Sequence, residues 1–295
     1  MIHKILIHDH NNLSEYIYNN DTNAYFVIFS KDRAMQLHAL IESYLRKVEN
    51  LKEMYILYTC SNDEHEKSYC ELILFYIDNP IINFIKEKNF RKDLVKLIQG
   101  KKYSKIILGA DDAIFSKYLD MNDFCQINPI YAVGSLYRGL DLSFCFAFNK
   151  EQPMPNFYNL TNDKFFNNKL VWKWDKAIES PDWAYPIAVG NMFDKDELLL
   201  MLKNTFFKAP NSLEGNLQIW LPFYIHRLGI SYKYTVLSST PINLVNNEVI
   251  NNTSNGYSVE ELLLKWNNGY RIFYEEFDSL DATQTPFQKI NFVLR

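Results

Sequence analysis

An apolar run that ends in two adjacent acids, KIILGADD, occupies residues 105–112, and a second apolar triplet, AIF, follows it at 113–115. Burying a carboxylate without a partner costs several kcal/mol, so Asp111 and Asp112 at the exit of a buried strand require a cation or solvent. Open α/β sheets bind ligands outside the carboxyl ends of their strands. Because hard oxygen ligands prefer Mg²⁺ or Mn²⁺ to zinc, the pair indicates a divalent-cation site for a phosphorylated substrate.

A structural interpretation of the same pair is also open. Asp is common in solvated loops and at the N-caps of helices. Asp111 and Asp112 could therefore begin a loop or cap the next helix. Two residues alone do not separate the interpretations, so the surrounding segments decide between them.

Strand-like and helix-like segments alternate on the N-terminal side of the pair. Apolar runs without alternation predict buried strands at 25–29, 54–58, 81–85 and 106–108. Helical spacing predicts helices between them at 32–48, 65–76 and 90–98. This order predicts a mostly parallel sheet with right-handed crossovers. The acid pair then follows the fourth parallel strand.

The pattern changes after residue 142. We predict strands at 143–148, 187–189 and 232–237, helices at 195–204, 213–228 and 259–266, and a terminal strand or tail at 290–294. A long polar loop is predicted at 149–169, and loops of this length are usually functional or mobile. The aromatic residues Phe144, Phe146 and Phe148 alternate with period two, which favours a place in the core of the predicted strand.

Composition limits the classes of protein that fit. The 295 residues are 47% hydrophobic with a formal net charge of -4, which indicates a globular chain and argues against nucleic acid as the main partner. The cysteines show no CxxC or Cys/His ligand spacing, and the isolated His8 and His10 do not predict a zinc site. No apolar run approaches the ~18 residues of a membrane span. We therefore expect a reduced, cytoplasmic protein, with peripheral contact at the inner face of the membrane left open.

Two further segments are candidates for ligand contact. The segment Ser30-Lys31-Asp32-Arg33 follows the first predicted strand, where Arg33 could pair with phosphate or a nucleobase edge. The alternative is that these residues form the solvated first turn of the next helix. An aromatic cluster, Trp172, Trp174 and Trp183, follows the long loop, and core packing explains it nearly as well as ligand contact.

The order of strand, Ser30 to Arg33, helix, strand and later LGADD resembles bacterial nucleotide-sugar glycosyltransferases of the GT-A fold, of the family 2-like kind. The segments PDWAYP at 181–186, GNMF at 190–193, APNSLEG at 209–215 and PINLVNN at 241–247 resemble the acceptor half of such enzymes. The resemblance covers most of the chain. It implies one α/β domain over 1–295, with a mostly parallel central sheet flanked by helices. Its Rossmann-like nucleotide-binding half would span about 24–125, and its acceptor-binding half about 126–295.

The resemblance also implies roles for individual residues. Ser30, Arg33 and Thr59 would contact the nucleotide, and Asp111 and Asp112 would hold a Mn²⁺ or Mg²⁺ ion that bridges the diphosphate. The motif departs from its commonest form, because no acid stands two residues before Asp112. Which acid binds the ion directly therefore stays open, since one could hold a metal-bound water or a ribose hydroxyl instead. A metal-independent variant also stays open.

For the base that removes the acceptor proton, the resemblance points to Glu214. The alternative is structural, because Asn211 to Glu214 also has the pattern of a helix-capping arrangement. Asp182 is the second candidate, and it could instead bind sugar hydroxyls. Trp172, Trp174 and Trp183 would stack on the acceptor's sugar rings, with one of the three serving only in packing.

The predicted activity is transfer of a sugar from a nucleoside-diphosphate sugar to a hydroxyl of a glycan or lipid-linked acceptor, as in polysaccharide biosynthesis. We expect inversion and metal dependence, although a retaining enzyme would not need Glu214 as a base. One alternative is a nucleotidyltransferase, which normally has a basic glycine-rich loop where residues 30–33 contain no glycine. Another is a noncatalytic glycan-binding protein, in which the tryptophans matter and the carboxylates do not.

Overall fold

The computed structural model describes residues 13–160, 164–245 and 256–295. The zinc interpretation of His8 and His10, and the end of the PINLVNN motif at Asn246 and Asn247, lie outside the described residues.

The first half contains every strand and helix predicted for residues 25–108. After the short helix α1 (Leu13–Ile17) the elements are β1 (Ala24–Lys31), α2 (Ala34–Lys47), β2 (Val48–Glu49), β3 (Met54–Thr59), α3 (Asp63–Phe75), β4 (Ile82–Lys86), α4 (Phe90–Gln99) and β5 (Lys105–Ala110). The side chain of Asn62 caps α3 and that of Asn89 caps α4, each by accepting a backbone N–H of the first turn.

The second half consists of shorter elements. In order they are β6 (Ala113–Phe115), β7 (Leu119–Asp120), α5 (Met121–Cys125), β8 (Ala132–Gly134), β9 (Phe144–Cys145), β10 (Lys150–Glu151), β11 (Lys169–Lys173), β12 (Met192–Asp194), α6 (Lys195–Lys203), α7 (Pro210–Leu217), α8 (Leu221–Tyr224), β13 (Leu228–Tyr232), β14 (Leu237–Ser239), α9 (Val259–Asn267), β15 (Tyr270–Ile272) and β16 (Phe292–Leu294).

The central sheet has five strands in the order β12-β5-β1-β3-β4. Strand β1 pairs in parallel with β3 and β5, β3 pairs in parallel with β4, and only β12 runs antiparallel, beside β5. Helices α2, α3 and α9 contact one another on one face, while α4 and α6 pack together on the other. The predicted α/β class with a mostly parallel sheet flanked by helices is confirmed, and this arrangement is consistent with a GT-A-like fold.

Strand β1 shows why its apolar run does not alternate. Phe26 and Ile28 join the core cluster on one face of the sheet. Tyr25, Val27 and Phe29 join the cluster on the other face. All five are buried, because helices cover both sides of the sheet.

Several predictions for the second half are wrong. The predicted strand at 143–148 ends after Cys145, because residues 146–149 form a turn in which the Asn149 N–H donates to the Phe146 carbonyl at 3.2 Å; Phe148 is 67% exposed on this turn. No strand forms at 187–189, and the edge strand lies three residues later as β12. The helix predicted at 213–228 is broken into α7, a 3₁₀ turn and α8, because Pro222, the second residue of α8, favours the start of a new helical segment. The strand predicted at 232–237 is divided between β13 and β14.

Candidate active site

The carboxyl ends of β1, β3 and β5 meet at one edge of the sheet. Lys31 pairs with Thr59, and Phe29 pairs with Ala110, so the residues that follow these strands become neighbours. The predicted nucleotide and metal residues therefore lie at a common edge; they are Ser30, Arg33, Thr59, Asp111 and Asp112.

Arg33 is the centre of a buried polar network at this edge. Its Nη1 donates to Asp111 Oδ1 at 2.9 Å and to Asp112 Oδ2 at 3.1 Å. Its Nε donates to Asn243 Oδ1 at 3.0 Å, and its Nη2 donates to the Asn243 carbonyl. Burial lowers the pKa of Arg33, but Asp111 and Asp112 raise it more, so the guanidinium stays charged. The alternative of a solvated first helical turn is wrong, because Arg33 is only 7% exposed.

Asp111 is an anchor with both carboxylate oxygens occupied. Oδ1 accepts from Arg33, while Oδ2 accepts from Ser30 Oγ at 2.8 Å and from the Lys31 N–H at 3.2 Å. The hydroxyl of Tyr69 contacts Ser30 Oγ at 2.5 Å and accepts from the Arg33 N–H. Burial raises the pKa of Asp111 to about 6, against the opposing effects of Arg33 and Ser30, so the carboxylate is ionised at pH 7.

Asp112 differs from Asp111 in its access to solvent. Its side chain is 26% exposed, compared with 4% for Asp111, and Arg33 pairs with its Oδ2. Within residues 13–160, 164–245 and 256–295 no group of three or more His, Cys, Asp or Glu could enclose a metal ion. Magnesium is commonly held by one or two carboxylates together with substrate phosphates. The residues therefore fit an ion bound by Asp112 and phosphate oxygens, with Asp111 acting through Arg33.

The turn after β1 has a strained backbone. Asp32 adopts a φ of 55°, which is uncommon for a residue with a side chain. Its Oδ1 accepts from the Ser61 N–H at 2.7 Å, and its own N–H points to the carbonyl of half-buried Thr59 at 3.4 Å. Asp32 thus fastens the end of β1 to the loop after β3. The sequence did not single out this role, because it depends on a backbone conformation.

Glu214 lies in the middle of α7, as the fifth of its eight residues. Its Oε1 accepts from the Val189 N–H at 3.3 Å. Burial raises the pKa of Glu214 to about 7, with Val189 and then Arg138 opposing the shift. The predicted capping role is wrong, because α7 begins at Pro210 and the hydroxyl of Ser212 accepts the Ala209 N–H instead. A carboxylate with a pKa near 7 suits proton abstraction at neutral pH.

Arg138 lies near Asp182 and Glu214, and both acids affect its pKa. Arg138 is 5% exposed and donates from Nε to the Asp182 carbonyl at 2.6 Å and from Nη1 to Asn191 Oδ1 at 2.9 Å. Burial lowers its pKa to about 10, with Asp182 and Glu214 opposing the shift. The Asp182 carboxylate is already held by Gln152 Nε2 at 2.7 Å. Of the two predicted acids, Glu214 has the more suitable environment for a base.

Tyr137 lies near enough to the Asp111–Asp112 pair and to Glu214 for all three acids to affect its pKa. The sequence did not predict a role for Tyr137. Its half-buried ring lies against Gly190, where an added Cβ would stand 1.9 Å from Tyr137 Cδ2. Gly190 has a φ of 89°, which few residues other than glycine adopt. Burial, followed by Asp112, Glu214 and Asp111, raises the pKa of Tyr137 well above its ordinary value. Gly190 belongs to the GNMF motif, which was the one signal in the sequence.

The three tryptophans do not form an acceptor wall. Trp172, Trp174 and Trp183 are each 0% exposed, and the ring centroid of Trp172 lies 4.8 Å from Trp174 and 5.0 Å from Trp183. Trp172 Nε1 donates to the Trp183 carbonyl at 3.0 Å. The stacking prediction is wrong for all three, because no indole face is open to a sugar. They pack in the core instead, and the Arg138 guanidinium lies 5.0 Å from the centroid of the Trp174 ring.

The chain is similar to known glycosyltransferases. No family model matches it. It is 28% identical over 174 residues to the bifunctional glycosyltransferase pgtA of Dictyostelium discoideum. The aligned region covers 54% of this chain and 22% of that relative. Among solved structures, S. aureus TarS is 11% identical over 71% of this chain and 35% of that chain, with a TM-score of 0.42. The bifunctional glycosyltransferase WbbM is 15% identical over 68% of this chain and 38% of that chain, with a TM-score of 0.38. The chain thus spans about a fifth of the length of pgtA.

Proposed function

We propose that the chain is a glycosyltransferase that moves a sugar from a nucleoside-diphosphate sugar to a hydroxyl of a glycan or lipid-linked acceptor. The observation that carries this proposal is the arrangement of two unlike acid sites around Tyr137. One contains Asp111 and Asp112, both paired with Arg33, at the carboxyl edge of the sheet. The other is Glu214, whose pKa is raised to about 7 by burial. The similarity to pgtA supports the same class of reaction.

The roles of the residues follow from their environments. The guanidinium of Arg33 and a Mn²⁺ or Mg²⁺ ion at Asp112 would neutralise the diphosphate, while Ser30 and Thr59 line the edge where the nucleoside would lie. Such an ion supplies Lewis-acid stabilisation of the leaving phosphate. Glu214 would remove the proton of the acceptor hydroxyl, as in an inverting reaction. Asp182 would stay in place through Gln152 and face the acceptor side.

Two alternatives have less support. A noncatalytic glycan-binding protein would rely on exposed aromatic rings, but the three tryptophans predicted for that purpose are buried. A nucleotidyltransferase would have no evident use for a base such as Glu214 on the far side of Tyr137.

Among the described residues, no helix is long and apolar enough to cross a membrane. We propose a cytoplasmic enzyme, with acceptor transfer at the inner membrane face as part of the same hypothesis.

The proposal is tested by ligand-dependent thermal stability. A ligand that binds only the folded protein at 100 times its Kd adds about 2.7 kcal/mol to the free energy of unfolding. We expect one class of nucleoside diphosphate, and its sugar nucleotide, to raise the Tm by about 5–10 °C in the presence of Mn²⁺. Release of the nucleoside diphosphate from that sugar nucleotide then measures turnover without knowledge of the acceptor. Absence of a Tm increase across the panel, with and without Mn²⁺, contradicts the proposal.

A matched variant identifies the binding site in the same assay. Asp112→Asn removes the carboxylate that could meet an ion, whereas Asp196→Asn changes an exposed acid in the first turn of α6, beside the start of β5 at the opposite edge of the sheet. The metal-dependent part of the Tm increase should disappear only in Asp112→Asn.

A further inference from the structure

The position of the Tyr137 ring is defined by its contact with the backbone at Gly190. The ring packs against Gly190, whose N–H donates to the Leu108 carbonyl at 2.6 Å on the strand that leads to Asp111. The residue before Gly190 is Val189, whose N–H donates to Glu214. The backbone that Tyr137 covers is therefore hydrogen-bonded to both acid-bearing elements.

The position of the ring is fixed by its neighbours. Leu136 donates its N–H to the Gly190 carbonyl at 3.3 Å, and it accepts N–H groups from Val236 and Leu237 at 3.1 Å and 3.0 Å. The preceding Ser135 forms a β-bridge with Asn191. The backbone on both sides of the contact is thus held by main-chain hydrogen bonds, and no Cβ can fit between the ring and Gly190.

The chemistry available to this phenol is narrow. A phenol is protonated at neutral pH, and burial, followed by Asp112, Glu214 and Asp111, raises the pKa of Tyr137 further. A protonated phenol among carboxylates can donate a hydrogen bond but cannot act as a base.

We infer that the Tyr137 hydroxyl donates a hydrogen bond to the phosphate oxygen that leaves the sugar. This inference rests on the proposed function. In that reaction the bond between the anomeric carbon and the phosphate oxygen breaks, and its electron pair stays on the phosphate. The acceptor oxygen forms the new bond, and its proton goes to Glu214. Tyr137 keeps its own proton throughout and stabilises the charge that develops on the leaving oxygen.

Tyr137→Phe tests the inference, because it removes only the hydroxyl. Loss of one donor that acts on developing charge typically lowers kcat by about 100-fold. We expect that decrease in nucleoside-diphosphate release, with the Kd of the nucleoside diphosphate changed by less than about threefold, since the charge is larger in the transition state. A control is Tyr25→Phe, which removes a buried hydroxyl that has no hydrogen-bond partner, at the opposite end of β1. Tyr25→Phe should leave kcat unchanged.

Gly190→Ala provides a second, independent test. The added methyl group would displace the Tyr137 ring, so its loss of kcat and that of Tyr137→Phe should not be additive in the double variant. A normal kcat in Tyr137→Phe, or a loss matched by an equal loss of nucleotide affinity, overturns the inference while the proposed function stands. A wild-type protein that neither binds nor cleaves any sugar nucleotide overturns both.

Discussion

Loss of charge at the two adjacent acids should have different main effects: Asp111→Asn should mainly lower stability, and Asp112→Asn should mainly remove metal-dependent nucleotide binding. Asp111→Asn keeps the shape of the side chain but leaves Arg33, which is 7% exposed, with Asp112 as its remaining carboxylate. An amide also has one acceptor oxygen where Asp111 now receives Arg33, Ser30 and the Lys31 N–H. Removing one partner of a buried pair costs about 3–5 kcal/mol, and because Asp112 remains we expect about 3 kcal/mol.

For a chain of this size that loss lowers the Tm by about 6–10 °C. Asp112→Asn breaks one hydrogen bond to a side chain that is 26% exposed, so we expect about 1 kcal/mol and a decrease of about 3 °C. Metal-dependent nucleotide binding should be lost in Asp112→Asn, whereas Asp111→Asn should retain part of it when assayed well below its Tm. Both effects are measured by thermal unfolding with and without Mn²⁺ and nucleoside diphosphate. An Asp112→Asn variant as destabilised as Asp111→Asn would refute the division into anchor and ligand.

Three other outcomes follow from burial and pKa. Because burial raises the pKa of Glu214 to about 7, kcat/KM should rise with pH through that value. Glu214→Gln should lower kcat by about 100-fold or more and abolish the rise. If the variant keeps the pH profile of the wild type, Glu214 is not the base. Trp183→Phe should cost about 2 kcal/mol in unfolding by urea with the acceptor KM unchanged, whereas a raised KM at normal stability would restore the stacking role. Burial lowers the pKa of His38 to about 3, so below pH 6.5 the unfolded chain binds a proton that the folded chain does not. The free energy of unfolding should therefore decrease by about 1.4 kcal/mol for each unit by which the pH is lowered. His38→Phe should remove that part of the acid sensitivity between pH 6.5 and pH 5; an identical decrease in both proteins would show that His38 is not its source.

The first half of the fold was predictable because local sequence determines it. Strands β1, β3 and β5 each contain an unbroken apolar run, and α2 and α4 each have an apolar stripe. Parallel order then follows from the alternation of strands and helices. The meeting of Ser30 and Asp111 at one edge required no more than this order, which is why the sequence located it.

The rest of the site depends on contacts between distant residues. Arg33 and Asn243 are 210 positions apart, and nothing in the residues near Asn243 indicates that its carbonyl faces a guanidinium. Tyr137 and Gly190 meet only because β12 returns beside β5. The tryptophans failed for another reason, because a large aromatic side chain has the same local pattern in a core as at a sugar-binding surface.

The cost of the charges around Arg33 points to chemistry more than to stability. Apolar residues of similar volume in place of a buried ion pair are often neutral or stabilising by 1–4 kcal/mol. Here Arg33 holds Asp111 nearly without solvent contact while Asp112, the next residue, keeps an exposed side chain. A network selected for stability would bury both acids or neither. Fixing one acid so that its neighbour stays partly exposed is the arrangement that the proposed diphosphate site would require.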